Sequence, residues 1–120
     1  MSEIRATTIS DAAGTGPITL TKQSAAKAWV NFDGTGTVAV RDSQGVSGLV
    51  DIGTGQIQVN FTSAMSTNYN YGITSCSNDI IADIYGGQNI STSFRTYMIN
   101  LSGANIDLAY AFYTIHGDLA

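Results

Sequence analysis

Residues 56–61, QIQVNF, alternate without a break: Ile57, Val59 and Phe61 fall on one face, and Gln56, Gln58 and Asn60 on the other. An extended strand with one buried face is the structure that gathers this spacing into a single apolar side. The period of two recurs along the chain and is punctuated by the triplet GTG at 14–16, 34–36 and 53–55. A phosphate-binding glycine loop presents backbone N–H groups at a helix N-terminus, usually with a lysine closing on the phosphate. None of the triplets is followed by a helical pattern or by GK[ST], and strand-like runs flank the second and third on both sides. They read as turns. Asp33-Gly34 is a favoured hairpin pair, and Gly36 suits a further left-handed position.

Extended this way, the pattern predicts strands at about 4–10, 18–22, 27–32, 37–42, 47–52, 56–62, 69–76, 91–100 and 106–115. The last is apolar on both sides, with Ile106, Leu108, Tyr110 and Phe112 against Ala109, Ala111, Tyr113 and Ile115. Such a strand sits centrally in a sheet or gives one face to a neighbouring subunit. SGAN at 102–105 has turn composition and predicts a long hairpin between the last two strands. The one helical stretch, SAAKAW at 24–29, is too short to stand alone and reads as the lead-in to a strand. Pro17 fits a strand entrance. With 120 residues there is room for one core. The expected fold is all-β: an antiparallel, jelly-roll-like β-sandwich of about eight strands with an extended N-terminal arm, the arm at 1–25 and the sandwich domain at 26–120.

Charged residues are 12% of the chain, about half the usual share, while hydrophobic residues are 43%. A surface short of charge is covered by Thr, Ser, Asn, Gln and Gly or is buried against partner chains, and the second reading predicts a homo-oligomer. The arm, rich in Thr, Ala, Ser and Gly, has few large apolar residues to bury and is expected to pack on another chain. Net charge is -4, and the five cations, Arg5, Lys22, Lys27, Arg41 and Arg95, are scattered, which argues against nucleic acid. No apolar run is long enough to span a bilayer, so no membrane insertion is expected, and the N-terminus lacks a signal-peptide core, which points to synthesis in a cytoplasm.

The search for chemistry returns little. Cys76 has no cysteine partner and reads as a small buried residue in a strand. His116 is the single histidine, and no spacing singles out a serine–histidine–aspartate set or a carboxylate pair, so no catalytic residue, cofactor or metal is assigned. A calcium loop at Asp33 or Asp51 lacks the spaced carboxylates such loops use. Sequons at Asn60, Asn89 and Asn100 have no secretory route to glycosylation. Aromatic residues remain. Tyr69, Tyr71, Tyr85 and Asn89 fall in or beside the longest expected loop, 77–90, and suit sugar stacking or protein contact; the structural alternative is that Tyr69 and Tyr71 share a strand face. Trp29, Tyr113 and Ile115 are the expected subunit-interface residues, with Lys27 and Asn31 on the same face as Trp29.

Residues 21–65 resemble a module of virion proteins from tailed bacteriophages, especially those of marine and cyanobacterial hosts. The matching elements are KAWVNF at 27–32, GTGT at 34–37, GTG at 53–55, VNFT at 59–62 and Ala64-Met65, and the lead-in IRATTISDAAGTGP at 4–17 is similar to stand-alone members. The chain departs from the commoner form in carrying QGVSGLVDI between its turns. The resemblance implies a non-enzymatic virion protein, tail- or fibre-associated and trimeric; its expected partners are other virion proteins of tail or capsid and, through the loop at 77–90 with its Tyr and Asn residues, a host surface glycan. It carries no catalytic residues. A capsid decoration protein clamped to the shell by the arm is the second expectation, and a free carbohydrate-binding module the third.

Overall fold

The computed structural model describes residues 3, 6–8, 12–14, 26–77, 81–84 and 89–120, with the backbone alone for 81–84. The strands expected at 4–10 and 18–22 lie outside the described residues, apart from 6–8, which contain a bend. Eight strands are described: β1 (Ala28–Asp33), β2 (Ala39–Gln44), β3 (Val46–Gly53), β4 (Gln56–Phe61), β5 (Tyr71–Ser77), β6 (Ile81–Ile84), β7 (Ser93–Ile99) and β8 (Ala111–Gly117). They form two antiparallel sheets, ordered β2-β1-β8-β5 and β3-β4-β7-β6, stacked as a β-sandwich. No helix occurs among the described residues, and 26–27 lead directly into β1.

The core follows from alternation on the four central strands. β1 contributes Ala28, Val30 and Phe32; β4 contributes Ile57, Val59 and Phe61; β7 contributes Phe94, Thr96 and Met98; and β8 contributes Ala111, Tyr113 and Ile115, all buried. Aromatic rings bridge the sheets: Phe32 stacks on Tyr113 at 6.0 Å between centroids, Tyr113 meets Phe94 at 5.6 Å, and Phe94 meets Phe61 at 5.7 Å. Thr96 is tolerated among them because its hydroxyl donates to the Ile57 carbonyl at 3.3 Å.

Two glycines fix the corners. Gly45 is the single residue between β2 in one sheet and β3 in the other. Its φ is 68°, and a Cβ there would lie 2.6 Å from the Lys27 carbonyl oxygen. QGVSGLVDI is therefore a sheet-switching corner followed by β3. Gly55, with φ 68°, closes the two-residue β3–β4 turn, where its N–H donates to Asp107 at 2.7 Å and its carbonyl accepts from Met98 N–H at 2.8 Å. Around the second triplet the left-handed residue is Gly36, φ 58°, while Gly34 keeps φ outside that region.

The path from β7 to β8 corrects the expected hairpin. β7 pairs with β4 and β6 in one sheet and β8 with β1 and β5 in the other. SGAN does turn the chain, with Asn100 N–H bonded to the Ala104 carbonyl at 2.9 Å, but 106–110 then cross between sheets. Leu108, 3% exposed, plugs the end of the sandwich, and its carbonyl accepts from Gly34 N–H at 2.8 Å. β8 accordingly starts at Ala111, in the expected central position. The expected loop at 77–90 also changes, since it contains β6 paired to β7. Near the C-terminus, Ala120 N–H bonds to the Ala64 carbonyl at 2.9 Å and Ser66 N–H to the Asp118 carbonyl at 2.7 Å.

Candidate functional site

With Ala28, Val30 and Phe32 turned inward, Trp29 and Asn31 stand on the outer face of the first sheet. On β8, Phe112 lies opposite Asn31, and on β5 Cys76 lies opposite Phe112, so these outward residues form one row across three strands. Trp29 tilts against Phe112 with centroids 6.2 Å apart, and its indole N–H donates to the Gln44 amide oxygen at 3.1 Å. Next to this row is an open depression of about 370 Å³ lined by Asn31, Cys76, Ser77, Tyr110, Ala111 and Phe112.

A polar cluster at the end of β1 controls its rim. Asp33 Oδ1 accepts from Thr35 N–H at 2.8 Å and from the Thr35 hydroxyl, and Oδ2 accepts from Arg41 Nη2 at 3.2 Å. The Thr35 side-chain and backbone hydrogen bonds, with the Arg41 charge adding less, hold the Asp33 carboxyl below its ordinary range. The Arg41 guanidinium in turn lies 4.5 Å from the centroid of the Tyr110 ring, a cation–π contact. With both carboxylate oxygens engaged, Asp33 is a clamp for Thr35 and Arg41. Among the described residues no group of three His, Cys, Asp or Glu is placed to hold a metal ion.

The residues singled out from sequence separate. Tyr69 precedes β5 and is 77% exposed. Tyr71 opens β5 facing inward: its ring packs edge-on against Phe61 at 5.6 Å and its hydroxyl donates to the Ile90 carbonyl at 3.0 Å. Burial pushes its pKa up to about 12. The two tyrosines therefore do not share a contact surface, and Tyr71 is a packing residue. Tyr85 lies outside the described residues. Asn89 is half-buried beside the Ile90 turn. Tyr113 and Ile115 are fully buried within the subunit, which removes them as subunit-interface residues; Trp29, on the outer face, stays available. Cys76 is in a strand as expected but exposed, because position 76 points away from the core.

Compared with models of protein families, with curated proteins and with solved structures, the chain matches none.

The outer-face site was missed in the sequence because its parts are distant. Asp33 and Arg41 flank one turn and are a readable opposite-charge pair across a hairpin. Tyr110 reaches them only through the β7–β8 crossing, which no local pattern announces.

Proposed function

We propose that the chain is a non-enzymatic structural subunit of a tailed-bacteriophage particle, self-associating, carried on the tail or its fibres, and serving assembly and host attachment. One observation carries this reading: the residues that resemble phage virion proteins fall on structural positions. Within KAWVNF, Ala28, Val30 and Phe32 form the inner face of β1, and within VNFT, Val59 and Phe61 do the same on β4. GTGT and GTG are the turns of the two hairpins, and Met65, 1% exposed, seals the core. A module whose recurrent residues define a core and its corners is a framework, as a repeated particle component requires, and its outer faces are free to differ between partners. The scarcity of charge fits a subunit that covers surface by assembly.

The test is location. Mass spectrometry of purified particles should detect the protein, and gold-labelled antibody should decorate the tail in electron micrographs. Label spread over capsid faces would replace the tail assignment with a head-decoration role, and absence from the particle would end the virion reading.

A further inference from the structure

Arg41 owes its position to a break in strand register. Asn31 lies opposite Asp42 and Phe32 opposite Val40, which leaves Arg41 as the extra residue of a β-bulge. Regular alternation would point Arg41 to the side opposite Asp42; a bulge re-aims it. The result is a chain of contacts, Thr35 to Asp33 to Arg41 to Tyr110, that fixes an aromatic ring which is 59% exposed. The ring lines the depression together with Asn31, Cys76, Ser77, Ala111 and Phe112.

We propose that this depression binds a neutral pyranose ring of a glycan, with Tyr110 as the stacking platform and Asn31 as the hydrogen-bonding group. A volume of about 370 Å³ falls in the range of small-molecule sites, roughly 300–1,000 Å³. The aromatic lining matches the C–H face of a sugar. The Asn31 amide offers both donor and acceptor, which is what adjacent sugar hydroxyls need. Charge selects against other ligands. None of the described residues lining the depression carries a charge, and the Arg41 charge at the rim is offset by Asp33, which favours a neutral ligand over a phosphate or nucleotide. Fixing the platform in advance removes the ordering cost that a mobile tyrosine would add to binding. The inference names a ligand class for the attachment role and rests on that role only for where the glycan comes from.

The chain has one tryptophan, and Trp29 touches Phe112, so its fluorescence reports on the site. The full-length protein is titrated with glucose, galactose, mannose and N-acetylglucosamine, and with their trisaccharides. At least one should give a saturable shift in Trp29 emission. Tyr110→Ala should weaken that binding about tenfold, a loss of one stacking contact. Arg41→Lys keeps the charge but loses the planar contact, and should weaken it less. Tyr69→Ala should bind as the parent does. Circular dichroism confirms that each variant is folded. Three results overturn the proposal: no saccharide shifts the emission of the folded parent, Tyr110→Ala binds as well as the parent, or the emission follows protein concentration instead of sugar, which would assign the face to a second copy. Particle location, measured separately, does not change with Tyr110→Ala, so failure here leaves the virion reading standing.

Discussion

Asp33 and Tyr71 sit at opposite ends of the first sheet and tie stability to pH in opposite directions. The Asp33 carboxyl titrates below its unfolded value because Thr35 and Arg41 favour the charged form. Its contribution is therefore full above the unfolded carboxylate pKa, near 4, and is lost as pH falls through the lower folded value. Asp33→Asn should flatten the acid limb of a plot of urea midpoint against pH and leave the neutral plateau nearly level. Tyr71 behaves conversely. Its folded pKa of about 12 lies above the ordinary tyrosine value of 10.0, so its contribution is full below pH 10 and declines as pH rises towards 12. Tyr71→Phe should remove that alkaline decline and cost about 1 kcal/mol at pH 7, because the bond to the Ile90 carbonyl goes with the hydroxyl. Gly45 makes a third, sharper case. Its left-handed backbone and the 2.6 Å approach of a Cβ to the Lys27 carbonyl oxygen predict a loss of about 2–4 kcal/mol for Gly45→Ala. Gly48→Ala, with open space around the new methyl group, should stay within about 0.5 kcal/mol on the same urea curve.

Among the elements, the β7–β8 crossing separates surface from core within eight residues. Leu101 is 89% exposed in the turn, whereas Leu108 is 3% exposed under the sandwich end. Leu108→Ala should therefore cost about 2–5 kcal/mol and Leu101→Ala less than about 0.5 kcal/mol, measured by thermal or urea unfolding. Equal losses would contradict the crossing. The pair also shows what sequence could supply. In β1 and β4 the period of two is flanked by glycine turns, and the buried residues could be read off directly. Phe94 and Met98 on β7 could be read in the same way. From 106 onward the apolar alternation is equally regular, yet Ile106 and Leu108 serve a crossing, whereas Ala111, Phe112, Tyr113 and Ile115 serve a strand. Periodicity reports burial and cannot tell which sheet receives the residue. β6 escaped because IADI is short and bordered by Asn, Asp and Gly. The bulge at Arg41 escaped because register belongs to two strands at once.

At the scale of the whole molecule, the described core is drawn from residues 28–115. The buried hydrophobic cluster runs from Ala28 to Ile115 and includes no described residue before Ala28. Its four inward-facing central strands already stack across the sandwich, so stability should reside in 26–120. The residues before it carry the Thr-, Ala- and Ser-rich composition that suits packing on another chain, and the low charge of the chain gives assembly a reason to occur. Deleting residues 2–20 should therefore leave the melting temperature within about 2–3 °C of the parent, a change below about 0.5 kcal/mol for a chain this size. Sedimentation velocity at micromolar concentration should show the parent as an oligomer and the truncated protein shifted to monomer. A truncated protein that fails to fold would make the segment part of the core. A parent that sediments as a stable monomer would leave the charge deficit to be met by Thr, Ser, Asn and Gln on the surface, and would remove self-association from the proposed role.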